Sequence, residues 1–263
     1  MIDFPTEQSI RRSYIAQRQL AQLHRWIALQ IDPRADSTNL TTASLAFTNE
    51  GKSCDLSELS DLIRASKPAY LSCNDLTWPN PCERATIAST TLAGSFDNSE
   101  QPLLTDIALD NGKDHQEENA RPTAIEHRIL ALKHRWHAIV EAPEKVPAAL
   151  GELITPSFDM QWGYGGLSGF AELSTWLTKS AASMDAARHD IAAFAWQSTG
   201  QNTYQAEFDF VWYGYSNDLE PMHAESRHIW QIVDDPQDRY PRICQMSVEF
   251  LTPFHTVSGV NHD

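Results

Sequence analysis

The strongest hydrophobic periodicity in the chain lies in its second half and predicts an amphipathic helix. Its apolar residues recur at intervals of three or four positions: Ile125, Ile129, Leu132, Trp136 and Ile139. This spacing places them on one face of a helix of about four to five turns. Thr123 and Glu126 form a capping-box pattern, so we predict that the helix begins at Thr123. Pro143 and Pro147 end the periodic segment, because proline disrupts a helix interior.

The rest of the second half alternates between apolar and polar residues, which predicts strands. In the clearest segment, 204–213, one face carries Tyr204, Ala206, Phe208, Phe210 and Trp212. The other predicted strands are 158–162, 189–197, 223–233 and 242–251, and a helix is predicted over 168–180 with Ser168 as its cap. One polar face per strand is typical of antiparallel sheets covered on one side, so the predicted fold class is α+β. We expect the tail, 253–263, to be loosely held.

The first half opens in the same way, but its strand pattern is weaker. The predicted elements are a helix over 6–30, a short helix over 56–65, and strands over 84–94 and 103–109. The segment 111–121 is polar and charged without an apolar period, which is typical of a linker. No segment of the first half matches the predicted strand at 242–251.

Short segments of the first half recur in the second half, in the same order. The pairs are 23–26 with 132–136, 58–63 with 172–177, and 74–75 with 189–190. Trp26 and Trp136 are 110 residues apart, and Asn74 and His189 are 115 residues apart. A nearly constant offset indicates an internal repeat. We therefore predict two tandem domains, 1–112 and 123–263, joined by a linker at 113–122.

Composition and charge restrict the classes of binding partner that we expect for this protein. The net charge of −15 disfavours nucleic acid and anionic membrane surfaces, which require a basic face. No apolar stretch approaches the roughly 18 residues of a membrane-spanning helix. The N-terminus shows no signal-peptide pattern, and none of the four cysteines stands in a C-x-x-C pair. We expect a cytoplasmic protein with reduced thiols.

The second half resembles the nuclear transport factor 2-like superfamily, which includes ketosteroid isomerase, scytalone dehydratase and SnoaL-like polyketide cyclases. The resemblance rests on the order and spacing of several features. These are a long first helix followed by Glu141 and Glu144, the segment 153–158, a glycine-containing turn at 166–169, a helix containing Trp176, a strand opening at 189–191, and a later strand with Trp230. The first half resembles the superfamily only through its internal repeat with the second half.

The resemblance implies two cone-shaped, cystatin-like domains, each a curved antiparallel sheet wrapped on helices around an apolar pocket. It also implies pairing of domains, either between two copies of the chain or within the tandem as an intrachain pseudo-dimer. The superfamily contains enzymes and non-enzymes, so the fold does not fix the activity.

His189 is the first candidate catalytic residue, because an imidazole titrates near neutral pH. His189 and Asp190 are neighbours on a predicted strand and point to opposite faces. The partner of His189 must therefore come from elsewhere, and Asp159 and Glu141 are the candidates. The alternatives are a histidine that contacts a ligand without doing chemistry, and a structural histidine that is hydrogen-bonded at the start of a strand.

An aromatic set is the candidate ligand-binding surface. It consists of Trp136, Trp162, Tyr164, Phe208, Phe210 and Trp212, with His228 and Trp230 on the apolar face of their strand. The alternative for these residues is a packed core. His134 is expected to be solvated and His137 to lie at the edge of the helix face. Their spacing suits a metal, but no acidic or thiol ligand accompanies them, so we expect neither a metal nor an organic cofactor.

Two functional hypotheses follow. In the first, the C-terminal domain binds a small hydrophobic or aromatic molecule and isomerises, cyclises or dehydrates it, with His189 as acid or base. In the second, it is a non-catalytic ligand-binding or domain-pairing module. An enzyme needs at least two titratable groups that converge in an open pocket, whereas a pairing module needs only apolar faces.

Overall fold

The computed structural model describes residues 4–31, 47–49, 52–54, 73–77, 82–87, 90–96, 102–109, 120–163 and 165–257. The predicted helix at 56–65, most of the predicted linker and Tyr164 lie outside these residues. The prediction that the chain divides at 112 and 123 stays a prediction.

The described part of the first half consists of one long helix and six strands. They are α1 (Glu7–Ile31), β1 (Phe47–Asn49), β2 (Lys52–Cys54), β3 (Cys73–Thr77), β4 (Cys82–Ile87), β5 (Thr90–Phe96) and β6 (Pro102–Leu109). The helix over 6–30 and the strand over 103–109 are confirmed. The predicted strand at 84–94 was wrong in its extent, because its residues fall in two antiparallel strands, β4 and β5. Strands β3, β4, β5 and β6 pair in chain order.

The described part of the second half contains three helical elements and six strands, most of them longer than those of the first half. They are α2 (Ala120–Val140), a 3-10 helix (Pro147–Glu152), β7 (Ile154–Trp162), β8 (Gly165–Ser168), α3 (Gly169–Ser183), β9 (Met184–Gly200), β10 (Thr203–Ser216), β11 (Pro221–Val233) and β12 (Arg242–Thr256). Helix α2 begins three residues before Thr123, so the predicted start was wrong. Strand β12 continues to Thr256, where His255 and Thr256 pair with β11, so residues 253–256 are not a loose tail.

The strands of the second half form one six-stranded sheet in the order β8-β7-β12-β11-β10-β9. All neighbours are antiparallel except β12 and β7. Register shifts interrupt the pairing of β9 with β10 beside Phe210, and of β11 with β12 beside Glu225. Such bulges bend a strand and increase its twist. The result is the α+β architecture that the alternating pattern predicted, with a curved, open sheet.

Helix α2 packs against the apolar face of this sheet and forms its core. The Trp136 ring lies 6.0 Å from that of Trp230 and 6.3 Å from that of Phe158. In β10 the buried positions alternate along most of the strand, as predicted, and Phe208 and Phe210 are at most 1% exposed. This packing fixes the height of α2 above the sheet, and hence the position of the loop that follows it.

Helix α1 packs along α2 and also contacts β9 at the edge of the sheet. Gln17 contacts His134, while His24, two turns further along α1, contacts His127, two turns earlier in α2. The two helices are therefore antiparallel. Because α1 covers it, His134 is only 1% exposed, and the expectation that His134 is solvated was wrong. Among the described helices, none has both the length and the apolarity of a membrane span.

Candidate functional site

A cavity of about 620 Å³ lies between α2, α3 and the apolar face of the sheet. Most of its lining is apolar: Trp136, Val140, Met160, Trp162, Trp176, Met184, Ala187, Trp212, Met222, Ala224, Met246, Val248, Phe250 and Phe254. Its volume falls within the range of small-molecule sites. The apolar residues of β12 recur at every second position, which brings Met246, Val248 and Phe250 to the same wall.

His189 reaches this cavity because side chains on β9 alternate between the two faces of the sheet, and His189 lies on the face toward the cavity. Arg188 and Asp190 point to the opposite face, where the Arg188 Nε atom lies 2.7 Å from Asp190 Oδ1. His189 pairs with Trp212 on β10, and both line the cavity. The strand geometry therefore separates His189 from Asp190, as the sequence predicted, and places an imidazole in an aromatic wall.

Glu141 is the partner of His189. It follows the last residue of α2, and its side chain is fully buried. Glu141 Oε1 accepts the backbone N–H of His189 at 2.9 Å and lies 3.1 Å from His189 Nδ1. A carboxylate can only accept, so Nδ1 donates to it, and in the neutral form of the imidazole Nε2 then carries the lone pair. The end of the helix thus orients the imidazole on the neighbouring sheet.

Two further histidines line the cavity, and both are buried. His137 Nδ1 donates to the backbone oxygen of Lys133 at 2.9 Å, and its ring centre lies 4.5 Å from that of His189. His228 Nε2 lies 3.1 Å from Ser226 Oγ. Burial lowers the pKa of His137 well below its usual value and lowers the pKa of His228 to about 3. Both imidazoles are therefore neutral near pH 7.

The remaining polar lining is cationic or neutral. Lys145 and Lys179 border the cavity, and among the described residues that line it none is acidic. Lys145 Nζ donates to the backbone oxygen of Val140, at the end of α2, at 2.5 Å. Burial lowers the pKa of Lys145, while Glu141 acts in the opposite direction.

The structure does not bring Asp159 to His189. Asp159 alternates with Met160 on β7, and Met160 is the residue that lines the cavity. The Asp159 carboxylate accepts from Gln161 at 3.0 Å and from Ser168 at 2.8 Å. These bonds lower the pKa of Asp159 at an exposed position. The pairing of His189 with Asp159 that was considered from the sequence is therefore wrong.

The predicted ligand-binding residues separate into two groups. Four of them line the cavity: Trp136, Trp162, Trp212 and His228. Three others, Phe208, Phe210 and Trp230, are at most 1% exposed and lie in the closed core beneath it. Tyr164 lies outside the described residues. Trp176, which α3 brings to the cavity, was not among the predicted ligand-binding residues.

No family model matches this sequence, and no curated protein matches it. Solved structures are similar over about half of the chain. The hexachlorocyclohexane dehydrochlorinase LinA-type3 from Novosphingobium barchaimii LL02 has 10% identity and a TM-score of 0.46, and the match covers 52% of this chain and 92% of that one. A nuclear transport factor 2-like superfamily protein from Salmonella enterica serovar Typhimurium has 17% identity and a TM-score of 0.43, with coverages of 53% and 99%.

A third similar structure, from Nostoc punctiforme, is described as a protein of unknown function with a cystatin-like fold. It has 15% identity and a TM-score of 0.39, with coverages of 47% and 88%. The structural neighbours of this chain are thus nuclear transport factor 2-like and cystatin-like proteins, and each covers one domain's worth of it. At these identities the likeness concerns the fold alone.

Proposed function

We propose that the cavity binds a small hydrophobic or aromatic molecule and that His189 transfers a proton to or from it. The proposal is carried by one observation, the contact of 3.1 Å between His189 Nδ1 and Glu141 Oε1 at the wall of an apolar cavity. Such a pair suits an isomerisation, a cyclisation or a dehydration of the SnoaL-like kind, because each can proceed by proton transfer.

In the proposed mechanism, His189 Nε2 takes a proton from a carbon or oxygen atom of the bound molecule. Glu141 holds the ring through Nδ1 and stabilises the imidazolium that forms, because a carboxylate bond to a cation is stronger than a neutral bond. The imidazolium then returns the proton to another atom of the molecule or to a leaving hydroxyl group. A positioned acid–base group of this kind contributes about 10²–10⁴-fold in rate.

The proposal is tested by turnover of a panel of small aromatic and cyclic ketones and alcohols, followed by NMR in deuterated water. His189→Ala and Glu141→Gln should each lower turnover of an accepted substrate by about 10²-fold or more. Asp159→Asn is the matched control, because it removes an exposed carboxylate at the far face of β7 and should leave turnover unchanged. Unchanged turnover in His189→Ala, for every accepted substrate, would overturn the proposal.

A second function, intrachain pairing of two related domains, is favoured by the contacts between α1 and α2. At the offset of 110 residues between the repeats, Gln17 corresponds to His127, and His24 corresponds to His134. Gln17 lies 2.6 Å from His134, and His24 lies 2.8 Å from His127. Each contact is the counterpart of the other, which is the signature of a two-fold interface.

The same two-fold relation is supported near the middle of the interface. The rings of His24 and His134, which correspond to each other, stack with centres 5.3 Å apart and planes 5° apart. Strands β3 to β6 and strands β9 to β12 also share one connectivity, a four-stranded antiparallel run in chain order. We therefore propose that the chain is a tandem of two domains and that α1 and α2 pair them.

A further inference from the structure

The side-chain amide of Gln17, on helix α1, contacts both Glu141 and His189, although Gln17 lies more than 100 residues before them in the chain. It is 1% exposed. Its Nε2 lies 3.3 Å from Glu141 Oε1 and 3.4 Å from the backbone oxygen of His189. Its Oε1 lies 2.6 Å from His134 Nδ1 and 3.3 Å from Lys133 Nζ. The amide therefore connects α1, α2 and β9 at the point where the catalytic pair is held.

The chemistry of these four partners fixes which way the amide points. Lys133 Nζ can only donate, so the atom facing it must be the oxygen of Gln17. The backbone oxygen of His189 can only accept, so the atom facing it must be the NH₂ group. Glu141 Oε1 then receives the second N–H of that group. A flipped amide would set a donor against a cation and an oxygen against a carboxylate.

Glu141 depends on the hydrogen bond from Gln17 Nε2, because its carboxylate has few partners. Oε1 accepts from His189 and from Gln17, whereas Oε2 has no hydrogen-bond partner among the described residues. A buried carboxylate is costly unless it is hydrogen-bonded. Loss of the Gln17 N–H would leave it only the donors of His189 and would free it to rotate about its side-chain bonds.

We propose that Gln17 is a positioning residue for the pair formed by Glu141 and His189, so that α1 completes the site of the C-terminal domain. Gln17 holds Glu141 Oε1 against His189 Nδ1 and keeps the proton of the neutral imidazole on Nδ1. The lone pair of Nε2 consequently faces the cavity. This inference rests on the proposed function for its catalytic meaning, but the position of the proton can be measured without a substrate.

The test is the tautomer of His189, read from the nitrogen chemical shifts of the imidazole in the full-length protein labelled with ¹⁵N-histidine and assigned with His189→Gln. Gln17→Met conserves volume and removes all four polar contacts. It should lower the ratio of the Nδ1–H to the Nε2–H tautomer by about tenfold, the effect of one bond to a charged group. In turnover of an accepted substrate, it should lower kcat and leave KM unchanged.

Ser13→Ala is the matched control. Ser13 lies one turn before Gln17 on the same face, and its hydroxyl donates to the backbone oxygen of Ala187 on β9. This variant loosens the same interface without touching Glu141, so it should keep the wild-type tautomer. If Gln17→Met does not fold, Gln17→Asn replaces it, because its shorter amide cannot reach all four partners, and the same loss of the Nδ1–H tautomer is expected.

A wild-type tautomer in the folded Gln17 variant would overturn the inference. An equal change in Ser13→Ala would also overturn it, because the effect would then come from packing of α1 alone. Neither result depends on catalysis. The proposed function fails separately, if His189→Ala keeps full turnover while the tautomer still responds to Gln17.

Discussion

Acidification should destabilise this protein well above the pH at which carboxylates titrate. Four histidines are the cause: His24, His134, His137 and His228. Each is at most 9% exposed. Burial is the largest cause of the lowered pKa of each of them, and for His228 the value is about 3. In the unfolded chain these residues titrate near pH 6.5.

The direction of this pH effect follows from proton uptake by the unfolded chain. Below about pH 6.5 the unfolded chain binds protons that the folded protein cannot bind, so the free energy of unfolding falls as the pH falls. The stabilisation is fully present above the unfolded pKa and is lost toward the lower folded pKa. At about pH 5.5, one unit below the unfolded value, each histidine that stays neutral in the folded protein accounts for a loss of about 1 to 2 kcal/mol.

Four such histidines together predict a loss of about 5 to 6 kcal/mol between about pH 7.5 and about pH 5.5. This is comparable with the entire stability of a typical domain. Asp190 and Asp234 oppose the trend, because burial raises their pKa and acidification therefore stabilises the folded state through them. Their contribution grows toward the ordinary carboxyl pKa and is small at the upper end of this range.

Urea unfolding followed by tryptophan fluorescence at the two pH values measures the loss. His134→Gln provides an internal check, because it removes one of the four titrating groups, and the pH dependence should become shallower by about one proton. An equal free energy of unfolding at both pH values would refute the reasoning, since buried neutral histidines require a difference.

Two further predictions concern the core and the cavity. Arg128 Nη2 lies 2.7 Å from Asp234 Oδ1 in a buried ion pair. Arg128→Met should therefore lower the free energy of unfolding, measured in urea, by about 3–5 kcal/mol, and adding Asp234→Leu should recover most of that loss. Equal losses in the single and the double variant would contradict this prediction. Ala187→Leu projects into the cavity and should weaken binding of the fluorescent apolar probe N-phenyl-1-naphthylamine by about tenfold or more. Ala193→Leu, on the exposed side of the same strand, is its control, and equal weakening in both would contradict the assignment of the cavity.

Much of the fold follows from periodicity alone. The spacing from Ile125 to Ile139 predicted α2, and alternation over 204–213 predicted β10, because each regular element repeats its buried face at a fixed interval. The same alternation separates Asp159 from Trp162, since odd and even positions of a strand face opposite ways. The alternation along β7 alone therefore argues against Asp159 as the partner of His189.

Other features depend on tertiary contacts that no local pattern contains. The alternation of β10 shows that Phe208, Phe210 and Trp212 share a face, but not that only Trp212 reaches the cavity. That difference depends on where α2 crosses the sheet. Likewise, His134 looked solvated because nothing in α2 indicates that α1 covers it, and Gln17 could not be connected with Glu141 before the two helices were placed together.

The most direct test of the central claim is a crystal structure of the protein soaked with N-phenyl-1-naphthylamine. We expect the probe to occupy the cavity between Trp162 and Trp212, with its amine facing Nε2 of His189 and with the Nδ1 contact to Glu141 intact. A cavity closed by its own side chains, with the probe bound elsewhere or His189 turned away from Glu141, would contradict it.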